Sequence, residues 1–250
     1  MTSELPVITP DWPAPRQVHA GCSTRLGGTS VACWHSLNLG GHVSDNPGYV
    51  AENRQRLAEW AGVSGEAFCW LEQVHGTVVV DAPSRDRTPP RADASVTRDR
   101  GVVCTVLTAD CLPVLFCARD GRQVGAAHAG WRGLCAGVLE NTLSSFRCSP
   151  SEIMVWLGPA IGPQAFEVGA EVRQQFLAED AGAGAAFVPS PQHPDRYLAN
   201  LYLLARQRLI SAGVTDIYGG DFCTYSDPER FYSYRRDGVT GRMASFIWLD

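Results

Sequence analysis

A chain of 250 residues, 45% hydrophobic and 19% charged, has the composition of an ordinary globular protein and the length for a substantial core. Its net charge of −5 gives no electrostatic basis for nucleic acid as the main partner, and basic runs such as YRRDGVTGR stand isolated. No stretch approaches the roughly 18 uninterrupted apolar residues of a membrane span, and MTSELPVITPDWPAP lacks a secretory pattern, so no membrane partner and a cytoplasmic location are expected.

In chain order, DNPGYVAENRQRLAEWAG (45–62) predicts an amphipathic helix with Asp45 as N-cap and Pro47 in the first turn. TVVVDA (77–82), VVCTVLTA (102–109), PVLFCA (113–118), QVGAAHA (123–129) and IMVWLG (153–158) read as short strands. GLCAGVLENTLSSF (133–146), EVRQQFLAE (171–179) and NLYLLARQRLISAG (200–213) read as helices, and SFIWLD (245–250) as a closing strand. RDGR between two strands predicts a hairpin, so the expected class is mixed α/β (α+β): sheets with helices outside, not a doubly wound parallel sheet. Stretches 81–93 and 178–195, rich in Pro, Gly, Ala and charge, are expected to be flexible but not to divide the chain. One domain over 1–250 is expected, with residues 1–18 as an extension packed on it.

Nine cysteines, an odd number without a CxxC pair, read mainly as buried small hydrophobes. Cys111 is different. In TADCLPVLF (108–116) an acid and a thiol separate two apolar runs, and Pro113 marks a bend at a strand start. In GAAHAGWRG (125–133), His128 ends a strand whose hairpin partner follows Cys111. In WLEQVHGTVVV, His75 precedes another strand. Two histidines and a thiol are zinc-type ligands, and a three-ligand set leaves a fourth position open; structural histidines are the alternative at each position. Asp110 either orients a ligand histidine or bonds backbone at the bend. Arg132 and the Gly130–Gly133 turn are anion-binding candidates. Trp131 is either packing or a purine-stacking platform. His42 is one of four histidines read as structural, although LNLGGHVSDNP brings it towards the site. Tyr232, Tyr234, Arg235 and Arg236 in FYSYRRD either line a pocket or form a surface strand.

QVHG, TADCLPVLF, AAHAGWRGLCAGVLE, LGPAIGP, AFEVG, CTY and FYSYRRDGVTGRMASFIWL resemble the defining segments of the YfiH-like family. STRLGGTS and SLNLGGHVSDNPGYVAENRQRL are similar as well, so the resemblance runs from about residue 20 to the end, and is greatest with enterobacterial members. This is the multicopper polyphenol oxidase, or laccase-domain, family, described as purine nucleoside phosphorylases. The resemblance implies an α/β sandwich with a site at one end of its sheets. It implies a metal bound by His75, Cys111 and His128, normally zinc and alternatively copper. The implied reactions are phosphorolysis of adenosine, inosine and 5′-methylthioadenosine, and deamination of adenosine. Arg25 in STRLGG falls on a basic position expected to contact phosphate. Many relatives carry Asp where this chain has Asn200.

Cys111, Arg25 and Asp110 are therefore the catalytic candidates, and Arg25, Arg132 and Trp131 the substrate-binding ones. Nucleosides and phosphate are the expected partners of a monomer or weak homodimer. Three other readings compete, one of them a non-catalytic anion-binding module built on the glycine turns. A single-site copper oxidase fits a His₂Cys set, although six histidines without an H-x-H pair do not furnish a trinuclear cluster. A Cys–His amidohydrolase acting on a peptidoglycan precursor would use Cys111 as nucleophile and His128 as base, leaving His75 without a role. The nucleobase deaminase signature H-x-E…P-C-x-x-C is absent.

Overall fold

The computed structural model describes residues 5–83 and 88–250. Its strands are β1 (Val7–Ile8), β2 (Val18–Ser23), β3 (Phe68–Cys69), β4 (Val79–Asp81), β5 (Ala94–Thr97), β6 (Val103–Thr108) and β7 (Leu112–Ala118). They continue with β8 (Val124–Ala129), β9 (Ile153–Leu157), β10 (Glu167–Gly169), β11 (Phe187–Pro189), β12 (Arg196–Ala199), β13 (Asp216–Gly219) and β14 (Met243–Leu249). The helices are α1 (Pro47–Ala61), α2 (Trp131–Ala136), α3 (Val138–Ser144), α4 (Ala170–Glu179), α5 (Leu201–Ser211) and α6 (Tyr234–Asp237).

Two mixed sheets, ordered β1-β2-β14-β6-β3 and β13-β9-β7-β8-β5-β4, make the sandwich, and β10-β12-β11 forms a small third sheet. The strand period of two explains the layering. In β7, Leu115 and Cys117 enter the core between the large sheets, beside Cys104, Val106 and Ile247. Val114 and Phe116 point the other way, into a core closed by Leu134, Leu139, Leu204 and Leu209 of the helices. In β6, Val103 and Leu107 face Leu57 of α1. The order of layers is thus α1, sheet, sheet, helices. Strands covered on both faces have no solvent side, so every residue of β6 and β7 is buried and apolar side chains dominate both.

The RDGR segment forms the expected hairpin, with Cys117 opposite Val124 and Gly121 at φ 66°. β6 and β7 belong to different sheets, so residues 109–111 are the corner where the chain crosses between them. Several expectations change in detail. The helix predicted over 133–146 starts at Trp131 and breaks at Gly137, whose φ of 101° ends α2 and starts α3. Asn46, not Asp45, caps α1, accepting from the Gly48 N–H; Asp45 instead accepts from Ser30 and Asn38. FYSYRRD is no surface strand: Phe231, Tyr232 and Ser233 are buried, and Tyr234–Asp237 is one helical turn. The 178–195 stretch includes the end of α4, a 3-10 segment and β11. Residues 84–87 of the 81–93 stretch, and residues 1–4 of the N-terminal extension, lie outside the described residues. Within that extension, β1 adds an edge strand to β2, and Trp12 and Ala14 pack on the inter-sheet core.

Candidate metal centre

Cys111 closes the corner before β7, and His128 sits near the end of its antiparallel neighbour β8, opposite Pro113. The hairpin therefore delivers both to one end of the sheet. His75 comes from the loop before β4, with a left-handed φ of 60° that non-glycine residues seldom adopt. What holds it there is Asp93, fully buried just ahead of β5. One oxygen of its carboxylate accepts the N–H groups of Val74 (3.2 Å) and Gly76 (2.6 Å), and the other that of His75 (2.9 Å). The oxygen that meets His75 also pairs with Nδ1 of His128 at 2.8 Å. One buried carboxylate thus sets the turn of one histidine and the ring of the other.

The donor atoms of His75, Cys111 and His128 lie within 4.8 Å of one another. Cys111 Sγ is 3.8 Å from His75 Nε2. Tetrahedral zinc, with Zn–N near 2.1 Å and Zn–S near 2.3 Å, spaces its ligand atoms about 3.6 Å apart. With Nδ1 of His128 engaged by Asp93, Nε2 is the nitrogen available as a ligand, the arrangement metal-bound histidines commonly show. Burial alone would raise the Cys111 thiol, but His128 and hydrogen bonds with both histidines outweigh it and bring it down to about 6. Burial opposes protonation of His128, yet the Cys111 and Asp93 charges raise it. Hydrogen bonds from His128 and the turn likewise overcome burial and hold Asp93 below the usual carboxylate range.

Two glycines make the approach possible. A Cβ on Gly130 would fall 2.7 Å from His75 Cδ2 and 3.1 Å from Cys111 Sγ, and one on Gly133 would fall 2.7 Å from the Gly76 carbonyl oxygen. The Gly130–Gly133 turn expected to hold an anion is thus occupied by close packing against the His75 loop. The donor set, its oriented imidazole, its lowered thiol and this Cβ-free space fit a bound zinc or copper ion.

A family model described as multi-copper polyphenol oxidoreductase laccase matches residues 19–250. The chain belongs to this family. "Purine nucleoside phosphorylase YfiH" of Escherichia coli is 59% identical over 97% of this chain and 98% of its own. A Pseudomonas aeruginosa protein also named purine nucleoside phosphorylase is 58% identical over 97% and 98%. Among solved structures, a Neisseria meningitidis protein superposes with a TM-score of 0.93 at 49% identity, over 98% of this chain and 99% of its own. YlmD of Geobacillus stearothermophilus gives 0.85 at 34%, over 98% and 99%.

For this family member, the candidate metal centre opens into a cavity of about 460 Å³. Arg132, Arg242, His42, Gln73 and Tyr234 line it with the three donor residues. His42 thus reaches the site; burial, then the charges of Arg242 and Arg54, lower its pKa and favour the neutral ring. Arg242 fixes its stem over Gly40 and donates to the Thr240 and Gly241 carbonyls. Trp131 is not in the lining. It packs on the helix-side core and carries the Arg132 guanidinium 4.5 Å above its ring.

Arg25 also lies outside the lining: its guanidinium donates to the His35 and Pro228 carbonyls and stacks over Tyr232 at 4.8 Å. Asp110, at φ 90°, does not orient either histidine. It accepts from the Thr224 hydroxyl (2.6 Å) and the Arg235 N–H (2.7 Å), tying the inter-sheet corner to α6 and to the loop before it. Asn200 caps α5 by accepting from the Leu203 N–H, a task Asp performs equally well. Asp93, Arg242 and Gln73 escaped the sequence reading.

Proposed function

We propose that the chain is a cytoplasmic, metal-dependent purine nucleoside phosphorylase acting on adenosine, inosine and 5′-methylthioadenosine, with a secondary hydrolytic deamination of adenosine. The observation that carries this reading is two arginines, Arg132 and Arg242, on the cavity that holds a His-Cys-His donor set. The names of the relatives at 58–59% identity support it. Phosphorolysis forms a bond between a phosphate oxygen and C1′ while the C1′–N9 bond breaks and the purine leaves with the electron pair and gains a proton. The phosphate dianion needs guanidinium partners in place before attack. Arg242 and Arg132 take that role here, in place of Arg25. His75, Cys111 and His128 would hold the metal, which when bound supplies a concentrated positive charge to polarise the substrate. Asp93 keeps the two histidines in position, and Tyr234 offers a ring and hydroxyl at the mouth.

Mass spectrometry of products from adenosine, using zinc-loaded protein with and without phosphate, tests the proposal. Adenine and ribose 1-phosphate formed only with phosphate support the phosphorylase, and inosine formed without phosphate supports the deaminase. Failure of both products to exceed those of a Cys111→Ser control sinks the nucleoside reading. Arg242→Gln is expected to raise the KM for phosphate at least tenfold while leaving bound zinc unchanged. A cysteine hydrolase is the second reading, favoured by a thiol brought down to about 6 beside His75. Full metal occupancy in Cys111→Ser would favour it over the ligand role.

A further inference from the structure

The opposite end of the sandwich carries a second cavity, of about 710 Å³, larger than the one at the metal centre. Topology brings its walls together. The β7–β8 turn at 118–123, the turn after β5 at 98–101, the segment after α3 at 147–148 and the end of β14 all meet there. β7 separates this cavity from Cys111 by seven residues, or about 23 Å at the usual strand rise of roughly 3.3 Å.

Four arginines line it: Arg98, Arg100, Arg122 and Arg147. The acidic side chains in the lining are those of Asp120 and Asp250, which leaves an excess of two positive side-chain charges in a chain whose net charge is −5. Asp250 is paired with His19 at 2.8 Å, and Asp120 lies 3.8 Å from Arg122. Among the described residues, Arg98, Arg100 and Arg147 have no ion-pair partner. Gln123 shapes the floor, accepting the Arg147 N–H and donating to the Ser145 carbonyl, so the backbone that carries Arg147 is fixed.

We propose that this cavity is a binding site for a small molecule carrying two or more linked phosphate groups. Guanidinium groups pair with phosphate oxygens in a bidentate manner, and several converging on one concavity match a chain of phosphates better than a single one. The volume falls in the range of small-molecule sites, roughly 300–1,000 Å³. The acidic remainder of the surface disfavours an extended nucleic acid, while a compact anion meets only the local field.

Isothermal titration calorimetry at low ionic strength, with inorganic pyrophosphate and with ADP as probes, tests this site on the zinc-loaded protein. Binding is expected to weaken at least tenfold in an Arg98→Gln/Arg147→Gln double variant; both residues are exposed, so the fold is retained. An Arg132→Gln/Arg242→Gln variant, which removes the arginines of the metal cavity, is expected to keep the affinity within twofold. Equal affinities for the two probes would show that the linked phosphates alone are recognised, and tighter ADP binding would make a nucleotide the source. No binding at millimolar probe, or binding that survives the loss of Arg98 and Arg147, overturns the proposal.

Discussion

Replacing Asp93 with Asn changes almost no volume but removes one of two acceptor oxygens. In the native site four donors converge on those oxygens: the N–H groups of Val74, His75 and Gly76, and Nδ1 of His128. Asn presents one carbonyl oxygen and an NH₂, so in either amide orientation two donors lose their acceptor and face another donor. Asp93 is fully buried, and water cannot substitute. Each buried unmet donor costs about 1–3 kcal/mol, and about 3 kcal/mol for the pair is a conservative figure, in the lower half of the resulting range. For a chain of this size that lowers the Tm by roughly 6–12 °C. Loss of the partner that orients a ligand histidine also typically weakens metal binding about 10–100-fold. Thermal unfolding of Asp93→Asn, with zinc competition against a calibrated chelator, reads both quantities. A variant with native Tm and native zinc affinity would refute the assignment of Asp93 as the residue that orders both histidines.

Three more outcomes follow from the same geometry. Gly130→Ala should reduce zinc affinity at least tenfold in chelator competition, because the new methyl occupies space 2.7 Å from His75 and 3.1 Å from Cys111. In metal-free protein at pH 7, iodoacetamide should label Cys111 well before Cys22, Cys104 and Cys117, whose thiols burial pushes up to about 12; peptide mass spectrometry reads the order, and added zinc should protect Cys111. The folded-state pKa of Asp93 lies below its unfolded value, so the stability it adds is present above about pH 4 and is lost as the pH falls through the folded value. Urea unfolding of metal-free protein at pH 5 and pH 3 should therefore show a smaller acid loss in Asp93→Asn than in the native chain.

The residues of the His-Cys-His cluster were legible because each sits in a short motif that conflicts with its surroundings: a thiol at the end of an apolar run, and histidines beside glycine turns. The sheets and the hairpin were legible from apolar runs and Asp-Gly. Asp93 was not, since it lies in a Pro- and charge-rich stretch that looks like connection. Its significance comes from β5 pairing with β8, which joins residues 35 positions apart. Asp110, adjacent to the thiol, admitted an orienting role or a backbone bond at the bend, and the corner turns it towards Thr224 and the Arg235 N–H. Arg25 and Arg242 differ in the same way. Arg25 leaves the end of β2 and Arg242 leads into β14, and only tertiary packing decides which faces the cavity. The break at Gly137 escaped because residues on either side continue a helical pattern, and only the left-handed backbone ends it.

The donors at the ends of strands have neighbours of a different kind. Cys111 and His128 are seated by a hairpin and a buried carboxylate, whereas His42 and Arg242 reach the cavity from loops and Tyr234 from a single helical turn. Loops accept insertion and exchange far more readily than paired strands. Mutations can therefore redraw what the cavity admits, one rim position at a time, without unsettling the donor set beneath. A lineage built on this plan can diversify in what its cavity admits while the His-Cys-His donor set stays the same.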